Sequence, residues 1–557
     1  MIVEELITNL TPTRAILWLL GLVVIVSWIR GIQLDRRVSR LGSHAPIFQT
    51  YLPLGMDFIY KTLKSSTKKE DLKFWVDTLA AVPLPNGDSS ATMEINAHSG
   101  LRVIYTVDPD NIKAVLTSQF ADYGKGERFH AEWKEFLGDS IFATDGELWS
   151  QSRHLIRPMF ARDRIVDTEI FEKHIQKLIP FLAGKNNMPG KGKVVDVGPL
   201  FFRFTLDAAT AYLLGQSVDS LNDPKTTFAE AFQYVLHRQS EIFKAGPLSF
   251  LMSRKEFRVN LKRMDDFMQP FIDEVLSLNT EELDKKLSKQ ETFLHALARF
   301  TKDPKVIRDQ LVAVLLAGRD TTAATLAFCL FELSRSPSVV ARLRTEILNQ
   351  VGTARKPSYS DLKEMKYLTA VLNETMRLYP VVPFNVRHSL ADTTLPRGGG
   401  HDGRSPIGVP NNTRIIYSTM NMQRRRDLYD PPPSAPGSAG SAGSAGSDEK
   451  QSIPYLDPSI FIPERWVSGW QPKPWHFIPF NGGPRICLGQ QFAMLEMGYT
   501  VSRILQQYSE INAVNAPPVG QDPVFKFDVT LSPGQELNMV FVKAGEETEE
   551  TKKLFRS

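Results

Sequence analysis

The sequence predicts a mainly α-helical fold with a small β-sheet region, preceded by one N-terminal transmembrane helix. Three observations predict it. Apolar residues recur at helical spacing over 164–183, 225–243, 256–278, 304–335, 338–351 and 361–379. Strand-like runs are few and short, at 93–95, 101–107, 413–417, 524–529 and 539–542. An uncharged apolar run, Ala15–Ile29, stands apart near the start of the chain.

That run spans about 22 Å as a helix, short of a hydrocarbon core of ~30 Å. Trp18 and Trp28 suit the two interfaces, and flanking residues snorkel. Glu4 and Glu5 precede it; Arg30, Arg36, Arg37 and Arg40 follow. This charge order reverses that of a cleaved signal peptide. The positive-inside rule therefore predicts a lumenal segment 1–14, an anchor at 15–31 and a cytosolic body. An Asn9-Leu10-Thr11 sequon would face the lumen close to the membrane. Residues 32–50, basic and then polar, read as a linker, and 51–557 as the globular domain.

Within the domain, 431–455 reads as a disordered insert: it is rich in Pro, Gly, Ser and Ala and holds three Ser-Ala-Gly units. The Glu-rich end, 544–557, reads as a solvated tail. Lys+Arg 66 against Asp+Glu 62 gives a net charge of +4, too little to indicate nucleic acid as a partner. Hydrophobic residues make up 42% of the chain, enough for a large core. Of two cysteines, Cys329 reads as a buried small apolar residue. The low count points to a reducing compartment and excludes multi-cysteine zinc and iron–sulfur sites. Soft-ligand metal chemistry must rest on one thiolate.

Cys487 lies in Phe480-Asn-Gly-Gly-Pro-Arg-Ile-Cys-Leu-Gly-Gln490, where a glycine-rich loop enters an apolar helical stretch. The N–H groups of a helix start favour thiolate over thiol. Glycines let the backbone approach a flat ligand, Arg485 suits a carboxylate, and Phe480 suits shielding the sulfur. The pattern Phe480, Gly483, Arg485, Cys487, Gly489 resembles the haem-ligating signature of the cytochrome P450 superfamily. The resemblance implies a haem-thiolate domain over 51–557, haem b (iron protoporphyrin IX) as cofactor and Cys487 as the axial ligand of its iron.

Three further segments carry the resemblance. Ala317-Gly318-Arg319-Asp320-Thr321-Thr322 sits mid-way in a long helix bounded by Pro304 and Pro337, with Gly318, Thr321 or Thr322, and Thr325 on one face. It is similar to the family's oxygen-activation motif, which implies Asp320 as proton relay and Thr321 as the group that holds dioxygen and a water. Glu374 and Arg377, in a helix expected over 361–379, resemble the family's E-x-x-R pair, and Pro463-Glu464-Arg465-Trp466 its P-E-R-W element. By resemblance Glu374, Arg377 and Arg465 lock together in a structural role. Trp149 and Arg153 resemble the W-x-x-x-R of another family helix, and Arg387 a strand arginine. With Arg485 these arginines would clamp the haem propionates.

The stretches 137–165, 317–322, 393–403 and 479–493 resemble the fungal alkane- and fatty-acid-hydroxylating (CYP52-type) group. This implies a monooxygenase of the endoplasmic reticulum membrane that inserts one atom of O2 into a C–H bond of a lipophilic long-chain substrate, with terminal (ω) hydroxylation of n-alkanes or fatty acids expected. Its partners would be NADPH–cytochrome P450 reductase and membrane lipid. Gly398-Gly399-Gly400 precedes no helix, so a fused reductase is not expected. Val381-Val382-Pro383-Phe384 would line the substrate pocket. Oxidation of an alkyl chain in a fungal secondary metabolite is the alternative, and a non-catalytic haem protein a remoter one.

Overall fold

The computed structural model describes residues 11–52, 55–97, 101–160, 168–184, 194–283, 292–429 and 457–544. The Asn9 sequon, the insert 431–455 and tail residues 545–557 lie outside the described residues. The chain divides into two compact units. The first holds 1–126, 384–418 and 482–485; the second holds the remainder.

In the first unit a helix runs from Pro12 to Leu41. The helix expected to end near residue 31 therefore continues through ten residues assigned to a linker. Its upper part exposes Trp18, Leu19, Leu22, Val24 and Trp28, whereas Val38 is fully buried. The linker reading fails because the lower part is tied down. Ser43 donates to Pro406 O at 2.9 Å and accepts from Gly408 at 3.0 Å, Arg37 pairs with Asp392 at 2.6 Å, and Ile47–Gln49 joins a sheet. That sheet has six strands, in the order Ile47–Gln49, Thr92–Ala97, Leu101–Thr106, Arg414–Ser418, Phe384–Ser389, Tyr123–Gly124. A hairpin of Thr393–Gly399 with Ser405–Val409 completes the unit.

The second unit is helical, with sheets of three strands and two strands. Its central element is the helix Pro304–Ser334. Asp303 caps it by accepting from the Lys305 and Val306 N–H groups, and Pro304 fits the first turn because its missing N–H would have no partner there. By length and apolarity this helix could cross a membrane, yet 78% of its most apolar window is buried. It is a core helix, packed on Val197–Leu214, Lys255–Ser277 and Gln490–Gln507.

The helix expected over 361–379 is two helices, Tyr359–Glu364 and Lys366–Leu378. No proline or glycine marks the break at Met365. Ser358 and Asp361 form a capping box on the first piece. The free N–H groups of Tyr367 and Leu368 go to the Glu346 carboxylate, at 2.9 and 2.8 Å, from the neighbouring helix Pro337–Val351. A cap supplied from another element leaves no local sequence signal.

Candidate active site

Cys487 ends a loop that follows Phe480. Its N–H donates to Phe480 O at 3.0 Å, which closes the loop, and the helix Gln490–Gln507 starts three residues later. Gly483 inside the loop has φ +66°, and a Cβ there would lie 1.8 Å from the Leu116 carbonyl oxygen, so only glycine fits. The Cys487 residue is exposed on one side, with protein crowding the thiol on the other. That crowding pushes its pKa up, against the opposing pull of the Gly489 N–H and the Arg153 charge. The loop, the helix start and Arg153 therefore do not outweigh desolvation in favour of the thiolate.

Arg153 and Trp149 share a face of the helix Gly146–Ile156, with the guanidinium 5.9 Å from the indole centre. Arg153 also donates to Ile486 O at 3.2 Å, next to the cysteine. Phe480 is half-buried beside the same loop. Arg387 is buried in the strand Phe384–Ser389 and donates to Val386 O at 2.9 Å. Arg485 sits on the turn Gly483–Arg485. These last two residues belong to the first unit, and the other predicted site residues to the second.

On the long helix, Val314, Ala317, Gly318 and Thr321 are half-buried, while the residues between them are buried. Their spacing of 3, 4 and 7 is one helical stripe. The expected stripe is thus corrected: Gly318 and Thr321 belong to it, but Thr322 and Thr325 are buried at 3% exposure each. A Cβ on Gly318 would meet only the Ala209 Cβ, at 3.9 Å. Thr321 Oγ1 donates to Ala317 O at 2.6 Å and Thr325 Oγ1 to Thr321 O at 2.8 Å, yet the helix is unbroken.

Asp320 turns inward from this stripe. Arg319 Nη1 lies 2.8 Å from its Oδ1. Burial raises the carboxyl pKa, and the Arg319 charge opposes that rise. Arg319 is itself held between the rings of Phe202 and Phe232, at 5.3 and 5.2 Å, and donates to Gln233 Oε1 at 3.0 Å. Sequence reasoning named Asp320 and missed Arg319, whose partner is its own neighbour rather than a residue at helical spacing.

Glu374, Arg377 and Arg465 meet in the interior. Arg377 Nε and Nη2 donate to the two Glu374 oxygens at 2.8 and 2.9 Å, and Arg465 Nε donates to Oε1 at 3.0 Å. The Trp466 indole and the Ile462 N–H each add a bond of 2.9 Å to Glu374. Burial alone would raise the Glu374 pKa; the two guanidiniums outweigh it and hold the group ionised. Arg377 donates its remaining hydrogens to Pro458 O, Ile460 O and Tyr429. Trp466, the last residue of the quoted P-E-R-W element, is the member of this cluster that sequence reasoning left without a role.

Among the described residues no group of three or more His, Cys, Asp or Glu side chains could hold a metal ion. The donor set offered to a metal is one accessible thiol with an arginine beside it. That set fits a haem iron, whose other ligands come from the porphyrin, and does not fit a multi-ligand protein site.

The cytochrome P450 family model matches residues 98–434 and 444–526. The chain is 44% identical over 540 residues to cytochrome P450 monooxygenase pvhE of Talaromyces variabilis, covering 95% of both. It is 40% identical over 431 residues to cytochrome P450 52A3-A of Candida maltosa, covering 74% of this chain and 76% of that one. With cytochrome P450 52A1 of Candida tropicalis it shares 38% identity over 464 residues, 80% of this chain and 79% of the other.

Proposed function

The chain belongs to the cytochrome P450 family of haem-dependent monooxygenases, and we propose that it hydroxylates the terminal carbon of a long apolar chain, an n-alkane or fatty acid, at the endoplasmic reticulum membrane. The observation that carries this reading is the accessible stripe Val314, Ala317, Gly318, Thr321, which offers three small apolar side chains or hydrogens and one hydroxyl, with no charge. Such a wall, with one hydroxyl and no charge, favours the hydrocarbon part of a substrate. The half-buried Val381 and Val382 add apolar surface of the same kind. The exposed apolar part of the helix Pro12–Leu41 suits a membrane anchor, which would bring the enzyme to substrates dissolved in the bilayer.

In this reading haem, when bound, supplies dioxygen activation and the transfer of one oxygen atom. Cys487 provides the thiolate sulfur, and the Arg153 charge favours that ionised form. By the family resemblance, Arg153, Arg387 and Arg485 would bind the propionates. Asp320, held by Arg319 and through it by Gln233, would pass protons toward the site, and the Thr321 hydroxyl, here bonded to Ala317 O, would hold a proton there. The Glu374–Arg377–Arg465 cluster fixes the fold behind the site. Two electrons come from NADPH through NADPH–cytochrome P450 reductase, so that R–H, O2, NADPH and a proton give R–OH, water and NADP+.

Incubating membranes that carry the enzyme with reductase, NADPH and alkanes and fatty acids of graded length tests this. Terminal alcohols are expected. No turnover of any alkane or free acid overturns it and favours the second reading, oxidation of an alkyl chain on a secondary metabolite.

A further inference from the structure

Three consecutive residues of the long helix reach the segment that carries Trp149 and Arg153. Arg308 Nη1 donates to Phe136 O at 2.9 Å, and Asp309 Oδ2 accepts the Asp139 N–H at 2.8 Å. Gln310 makes two bonds: Oε1 accepts the Ile141 N–H at 3.3 Å, and Nε2 donates to Ser152 Oγ at 2.9 Å. Consecutive helical residues point about 100° apart, so one segment met by three of them must wrap around the helix. Gly138 shows how tightly: its φ is +56°, and a Cβ there would lie 2.0 Å from the Asp309 carboxylate. Lys305, one turn earlier, braces Asp309 at 2.8 Å and Asp139 at 2.5 Å.

The bonds are made out of water. Gln310 is 1% exposed and Ser152 5%. A buried amide that loses its partner costs more than the bond itself was worth, so this geometry is held firmly. Ser152 directly precedes Arg153. On the other side, Gln310 shares its helix with the accessible stripe: Gly318 follows it by about two turns and Thr321 by about three.

We propose that Gln310 is a positioning residue: through Ser152 it sets where the Trp149–Arg153 helix stands, and so where Arg153 meets a haem propionate. A shift of the long helix at the stripe then reaches the charge beside the cofactor through one amide. The inference rests on the assignment of Arg153 to the haem and is independent of the substrate class.

The test uses the full-length, haem-loaded protein and four variants, Gln310→Leu, Gln310→Glu, Ser152→Ala and Arg153→Ala. Two quantities are read: the rate of haem transfer to excess apomyoglobin and the ferric/ferrous midpoint potential. Gln310→Leu and Ser152→Ala should each speed haem loss by about tenfold, the usual scale for a partner that orients a ligand. Both should move the potential in the direction that Arg153→Ala moves it. The Gln310→Glu carboxylate still accepts from the Ile141 N–H and the Ser152 hydroxyl, and should restore both readouts. If Gln310→Leu does not accumulate, Ser152→Ala, which removes a single oxygen, decides alone. Wild-type haem loss and potential in Ser152→Ala and Gln310→Leu, with only the melting temperature lowered, would overturn the proposal. Unchanged values in Arg153→Ala would overturn it as well, by removing Arg153 from the haem.

Discussion

Arg319 and Asp320 are adjacent in the chain and paired in space, with Nη1 2.8 Å from Oδ1. Both are buried at the turn of the long helix where the accessible stripe ends. Arg319 is the positive charge that opposes the upward push of burial on the Asp320 carboxyl. Arg319→Leu therefore raises the Asp320 pKa further. The limb of the pH–rate profile that reports its ionisation should move to higher pH by about one unit or more. A profile that stays in place would take Asp320 out of the proton path.

Thr321→Ala removes the hydroxyl of the stripe and its bond to Ala317 O. NADPH oxidation should continue while product per NADPH falls by about tenfold or more, the balance appearing as hydrogen peroxide. Simultaneous measurement of NADPH, peroxide and alcohol checks it. Unaltered coupling would show that the threonine moves no proton.

Glu374→Gln leaves Arg377 and Arg465 facing each other in the interior without a counter-charge. Removing one partner of a buried ion cluster costs about 3–5 kcal/mol. The variant should accumulate poorly and carry little haem per chain, measured from the carbon monoxide difference spectrum against total protein. Normal haem content would mean that the cluster is dispensable to the fold.

Glu496 is buried in the helix Gln490–Gln507, and burial pushes its pKa up to about 8. A carboxyl whose folded pKa lies above its unfolded one favours folding less as pH rises from the unfolded value toward 8. Glu496→Gln removes that penalty. The melting temperature of the variant relative to wild type should climb between pH 5 and pH 8, with a gain on the order of 3 kcal/mol at pH 7. A difference that does not change with pH would show that Glu496 does not titrate in this range.

Much of the proposed site can be read from the sequence because its parts are local. The loop from Phe480 to Gly489, the run from Ala317 to Thr322 and the pair Glu374–Arg377 each lie within ten residues, and short spacing in a sequence fixes short distance in space. The boundaries that failed have partners distant in the chain. Met365 breaks a helix because Glu346 caps the second piece. The lower part of the helix Pro12–Leu41 is no free linker because Pro406 and Gly408 bind Ser43 just after it. The stripe moved by a turn because helical periodicity gives a face but not which face is covered.

The sequence by itself determined the family and named Cys487 and the other residues proposed to touch or brace a haem, since covalent order and helical pitch carry that information. Tertiary structure decided what those groups experience: that the Cys487 thiol is crowded on one side and open on the other, that Asp320 is held by its own neighbour, and that Gln310 ties the long helix to Ser152. Burial and hydrogen bonding set ionisation and position, and both depend on packing between segments that the linear chain keeps far apart.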